Sequence, residues 1–187
     1  MTTRLTVPIS ERDHVLGSPT AAVTLLEYGD YECPSCGMAH SVVKAIQRQL
    51  GRRLRFAYRH FPLTTVHPHA LQAAEAAEVA GTQDRFWEMH DMLFEHQWAL
   101  GDEDLVQYAA ALGLDPIRFA GELASHVHAA RVSDDVMSGV RSGVHGTPTF
   151  FIDGMRHEGS VDFDTLLDAL VQAMEGATGA RHRGAAH

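Results

Sequence analysis

The sequence predicts an α/β fold with a β-α-β start, a long helical block over about residues 68–142, and a β-β-α close. Three observations lead there. A β-prone apolar run, Ala22 to Tyr28, feeds into Cys33-Pro34-Ser35-Cys36, which holds the only two cysteines of the chain, and a helical pattern follows at once. Helical periodicity then continues almost without interruption to about Ser142. Strand character returns at Thr149-Phe150-Phe151-Ile152, a turn signal follows at Asp153-Gly154, and the chain closes on a strongly amphipathic helix.

Each element has its own signal. An extended arm over Leu5 to Ile9 precedes the punctuation Gly17-Ser18-Pro19, and the first strand spans about Ala22 to Tyr28. Met38, Val42, Ile46 and Leu50 recur at helical spacing, and Gly51 is placed to end that helix. Leu54 to Phe61 alternates as a second strand, stopped by Pro62. In the helical block, Ala70 to Ala80 is alanine-rich, and Phe86, His90, Leu93, Phe94 and Trp98 trace one face of the next segment. Two further helices open on acidic first turns, from Asp102 and from Asp115-Pro116, as the helix dipole favours. Met155 to Glu158 is the expected return strand of the hairpin. Phe163, Leu166, Leu167, Leu170, Val171 and Met174 form the apolar stripe of the last helix. A single domain over residues 1–175 with a disordered tail over 176–187 is expected.

At 187 residues and 45% hydrophobic content the chain can bury a core without a disulfide framework. A net charge of -9 argues against a nucleic-acid partner, which needs a basic surface. The first ten residues lack the apolar segment of a secretory signal, and no apolar run approaches the roughly twenty residues that span a bilayer. A monomeric cytoplasmic protein without membrane contact is therefore expected, or an extracytoplasmic one if the native chain starts earlier.

The chemistry concentrates at the cysteine pair. With Cys33 as helix cap, Pro34 falls in the first turn, where its missing N–H is harmless. The unpaired N–H groups and positive dipole end then favour a Cys33 thiolate. Cys36 lies a turn deeper, near enough to resolve a mixed disulfide. The rival is a structural pair or half a zinc site, which needs two more ligands. Glu27 shares a strand face with Val23 and Leu25, so it is expected to point inward beneath the helix of Cys36, where burial raises its pKa and suits it to proton transfer; the alternative is a solvated carboxylate at a strand end. Pro148, after Thr147, stands at a strand entry. Among thirteen histidines, His67 with His69, His126 with His128, and His40 four residues after Cys36 have metal-compatible spacings, but solvated helix faces account for them and no metal site is expected.

Taken together, Glu27-Tyr-Gly-Asp-Tyr-Glu-Cys-Pro-Ser-Cys36, Tyr58-Arg-His-Phe-Pro62, Phe86-Trp-Glu-Met-His90 and Gly146-Thr-Pro-Thr-Phe-Phe-Ile-Asp-Gly154 resemble the DsbA-like branch of the thioredoxin superfamily, over residues 8 to 175. The resemblance is to the bacterial group of BdbD-like proteins and thioredoxin-like domains fused to sodium/proton antiporters. It implies a thioredoxin fold with a multi-helix insertion, and a cofactor-free thiol–disulfide oxidoreductase acting on protein or small thiols, recycled by an unidentified redox partner. It implies that Cys33 attacks, Cys36 resolves, Glu27 lies buried below them, and Pro148 follows a cis bond. Pro34, Ser35, Thr147 and Pro148 are expected to face the substrate. One departure is Pro34-Ser35, where DsbA has Pro-His: a neutral hydroxyl replaces an imidazole, so strong oxidising power does not follow. The direction of reaction is left open. Two alternatives remain, a redox-sensing or protein-binding module with little turnover and a kappa-transferase-like glutathione-linked isomerase; the complete C-x-x-C counts against the second.

Overall fold

A computed structural model describes residues 4–184, with side chains described through residue 176. Its elements run β1 (His14–Leu16), β2 (Val23–Gly29), α1 (Pro34–Leu50), β3 (Leu54–His60), α2 (Ala70–Gly81), α3 (Phe86–Glu95), α4 (Asp102–Ala111), α5 (Pro116–Ala124), α6 (Ala129–Arg141), β4 (Thr149–Ile152), β5 (Met155–Arg156) and α7 (Phe163–Gly184). The strands form one sheet in the order β1-β3-β2-β4-β5. Only β2 and β3 are parallel, joined through α1 as a β-α-β unit; the remaining pairs are antiparallel. The fold is thioredoxin-like, with α2 to α6 standing between β3 and β4.

Both faces of the sheet are buried, which explains why β2 and β3 read as near-continuous apolar runs. One face offers Val23, Leu25, Phe56, Phe150 and Ile152 to a core completed by Ala39, Val43 and Ile46 of α1 and Leu166 and Leu170 of α7. The other offers Leu26, Tyr28, Ala57 and Phe151, packed with Phe61, Val144 and, from α6, Val136. There Gly139 meets Phe61 so closely that an added Cβ would stand 2.8 Å from its ring. Beside it Arg59, buried on β3, donates to Asp13 at 2.6 and 3.1 Å, to the Tyr28 hydroxyl and to the carbonyls of Val7 and Pro8, and so fixes the N-terminal arm to the sheet.

Three expectations are corrected. The strand β1 is missing from the sequence reading because three half-buried residues carry too short an alternation to register. Met38 is 68% exposed: the buried face of α1 runs through Cys36, Ala39, His40, Val43, Ile46 and Leu50 instead. Trp98 is 82% exposed because α3 ends at Glu95, and the chain turns before Trp98 can join the face of Phe86, His90, Leu93 and Phe94. The backbone of α7 is described as far as Gly184. The remainder of the tail expected over 176–187, residues 185–187, lies outside the described residues. No described helix is long and apolar enough to cross a membrane.

Candidate active site

The turn ahead of α1 is built around Asp30. Its buried carboxylate accepts from the backbone N–H of Glu32 and of Leu63 and from His67 Nδ1, each at 2.8 Å. The Cys33 N–H donates to the Asp30 carbonyl at 3.2 Å, and the Cys33 carbonyl accepts the first helical bonds from Cys36 and Gly37. Cys33 is thus the cap of α1, with extended backbone and Pro34 in the first turn. A second clamp arrives from the insertion. Gln97 Nε2 donates to the Tyr31 carbonyl at 2.7 Å and to the Cys33 carbonyl at 2.9 Å. The residue facing Gln97 is Gly37, where an added Cβ would stand 2.1 Å from Gln97 Oε1. Gln97→Ala is expected to destabilise the protein by about 1–3 kcal/mol by removing both donations to the capping turn, read as a lower urea midpoint with an unchanged slope.

The two thiols are free and differ in setting. Both are buried, but Cys33 is 6% exposed and adjoins the exposed Pro34 and Ser35, whereas Cys36 is completely buried. The Cys33 Sγ donates to the Thr147 carbonyl at 3.5 Å. In thiolate form Cys33 is stabilised first by the Cys36 thiol donating to it. The backbone N–H groups of Cys36 and Ser35 add to this against the cost of burial, and its pKa falls to about 5. The same arrangement pushes Cys36 far above the ordinary thiol range, because burial, its donation to Cys33 and the negative charge of Glu27 all oppose ionisation. One thiol is ionised at neutral pH and its neighbour holds its proton.

Glu27 points inward, in register with Tyr58 on β3 and Phe150 on β4. It is 1% exposed, its Oε1 has no hydrogen-bond partner, and burial followed by the nearby Cys33 charge raises its pKa to about 8. The Tyr58 hydroxyl is likewise buried without a partner. Both groups close over Gly29, where an added Cβ would stand 2.8 Å from the Tyr58 hydroxyl oxygen and 3.0 Å from Glu27 Oε1.

The sequence-predicted residues therefore converge. Cys33 and Cys36 sit at the head of α1, Glu27 interacts electrostatically with both, and Thr147 reaches Cys33 from the loop before β4. The Thr147–Pro148 peptide bond is cis, and both residues are half-buried. Pro34 and Ser35 are exposed in the first turn of α1. Sequence reasoning missed Asp30, Tyr31, Gln97 and His90. Tyr31 donates or accepts a 3.0 Å hydrogen bond with His90 Nδ1, carrying the contact from the capping turn to α3. Asp30, a turn-forming residue three before Cys33, had a local signal; Gln97, sixty-four residues away from Cys33, had none.

A family model described as thioredoxin matches residues 10–172. Among curated relatives, a Na(+)/H(+) antiporter NhaA 1 of Salinispora arenicola is 48% identical over 173 residues, 92% of this chain and 26% of that protein. A Na(+)/H(+) antiporter NhaA of Herminiimonas arsenicoxydans is 42% identical over 166 residues, 89% of this chain and 26% of that protein. The chain thus spans about a quarter of the length of these relatives. Among solved structures, oxidised BdbD from Bacillus subtilis superposes with a TM-score of 0.81 at 24% identity, over 88% of this chain and 94% of that one. A thioredoxin-like oxidoreductase from Silicibacter pomeroyi gives 0.78 at 25% identity, over 89% and 94%, and Wolbachia pipientis alpha-DsbA1 gives 0.79 at 19% identity, over 96% and 99%. With the family match running from the N-terminal arm to the last helix, the chain belongs to the thioredoxin family and has the fold of its DsbA-like members.

Proposed function

We propose that this chain is a thiol–disulfide oxidoreductase in which Cys33 exchanges with protein or small-molecule thiols and Cys36 resolves the mixed disulfide. The observation that carries the reading is the opposed ionisation of two adjacent thiols at one helix start, Cys33 down to about 5 and Cys36 far up. In the reducing direction the Cys33 thiolate attacks a substrate disulfide, forms one S–S bond and releases one substrate thiolate, which takes a proton from solvent. The mixed disulfide removes the Cys33 charge that helps Glu27 hold its proton, so the ionised fraction of Glu27 takes the Cys36 proton, and Cys36 attacks Cys33 Sγ, expelling the second substrate thiolate. The substrate gains two electrons and the protein ends as the Cys33–Cys36 disulfide; oxidation is the reverse. Direction is set by the poise of the pair against its recycling partner.

In this reading Pro34 and Ser35, which follow Cys33 in the chain, and Thr147 and Pro148 hold the substrate backbone beside the Cys33 sulfur, which the Thr147 carbonyl already meets at 3.5 Å. The antiporter activity in the relatives' names is not carried over to this chain. Catalysed reduction of insulin by a dithiol, or catalysed oxidation of a dithiol peptide by the disulfide form, tests the proposal. Turnover in either assay is expected; stoichiometric reaction without turnover would favour a sensing module instead.

A further inference from the structure

We propose that His40, His90 and Asp91 form a binding site for a zinc-class divalent metal ion that joins α1 to α3. The three side chains each present one ligand atom, and these atoms lie within 4.8 Å of one another. His40 Nε2 stands 3.5 Å from Asp91 Oδ1. That separation is long for a strong hydrogen bond, but near the roughly 3.3 Å edge of a tetrahedron with metal–ligand bonds of about 2.0–2.1 Å. Beside the donors lies a cavity of about 60 Å³, lined also by Leu16, Val43, Lys44, Gln47, Phe56 and Trp87. Three ligands next to a cavity leave room for a fourth, exchangeable position.

The surroundings suit ligation. His90 Nδ1 is engaged by the Tyr31 hydroxyl at 3.0 Å, which orients the ring and leaves Nε2 as the atom available to an ion. His40 stacks on Phe94, and His90 packs edge-on against Tyr58, Trp87 and Phe94, so both rings are held in fixed positions. The competing cation is Lys44, whose Nζ lies 2.6 Å from Asp91 Oδ2. It is 38% exposed and uses only one carboxylate oxygen, leaving Oδ1 to the site, and exposed pairs of this kind contribute little. The other cluster of this type, His60, Glu78 and Asp135, differs because the Arg131 guanidinium already pairs with both of its carboxylates. The spacing of His40 from Cys36 is therefore misleading: the partners of His40 are on α3.

The test is calorimetric titration of ZnCl2 into Cys33→Ala/Cys36→Ala protein, so that thiols cannot ligate and the result is independent of the redox reading. One equivalent is expected to bind, with affinity at least tenfold weaker in His40→Gln and in Asp91→Asn. Tyr31→Phe, which keeps all three ligands, is expected to cost about 10–100-fold, the usual effect of losing a partner of a ligating histidine. Circular dichroism confirms that each variant is folded. Absence of stoichiometric binding, or unchanged affinity in either ligand variant, would place any ion on the surface histidines and overturn the proposal.

Discussion

Cys33→Ser is expected to bring exchange down to the uncatalysed rate, because a serine hydroxyl is not ionised near neutral pH and cannot form the mixed disulfide. Cys36→Ser should behave differently: Cys33 still attacks, but nothing resolves the adduct, so a stable mixed disulfide accumulates on Cys33 and is seen by mass spectrometry. The asymmetry follows from position, since Cys33 is 6% exposed and adjoins the exposed Pro34 and Ser35, while Cys36 is completely buried. The low pKa also fixes a sign for redox behaviour. A thiol whose pKa falls from 9.0 to about 5 stabilises the reduced folded protein at pH above the unfolded value, and that stabilisation is lost as pH falls through 5. It acts on the reduced form alone, so relative to a pair of ordinary thiols it makes the disulfide a stronger oxidant, by a margin that is larger at pH 7 than at pH 4.

Glu27→Gln is expected to slow the Cys36-dependent step by about 10²–10⁴-fold, the usual contribution of a positioned general base, while raising stability at alkaline pH. Its carboxyl is fully buried and ionises near 8 in the folded state against 4.5 ordinarily. Between those values the folded state holds a proton that the unfolded state has released, so stability falls as pH rises from 4.5 through 8. The full span is on the order of 5 kcal/mol, and glutamine, which cannot ionise, should remove this pH dependence. Chemical denaturation at pH 5 and pH 9 measures it. An unchanged pH slope, or an unchanged resolving rate without loss of its inflection near 8, would make Glu27 a structural residue only.

Legibility tracked how local the cause was. Alternation placed Glu27 on the inner face because Val23 and Leu25 flank it on the same side of β2, and the fully buried sheet preserved that pattern. The helix start was legible because Cys33-Pro34 is a capping signal contained within two residues. By contrast, Gln97 reaches the active-site turn from the loop after α3, and its relevance depends on the absence of a side chain at Gly37, a coincidence in space that no periodicity records. The same limit applies to His40. On the chain its neighbour is Cys36, but the fold turns it toward His90 and Asp91. Met38 and Trp98 show the opposite failure: helical spacing assigned them inward, and the phase of α1 and the end of α3 turned them out.

The most direct test of the account is the pH dependence of alkylation of the fully reduced protein, with each modified cysteine located by mass spectrometry. The account predicts a single reactive thiol, Cys33, whose rate rises with a midpoint near 5, and a Cys36 that stays unmodified until the protein unfolds. Equal labelling of Cys33 and Cys36, or a Cys33 midpoint near the roughly 8.5 of a free thiol, would contradict it.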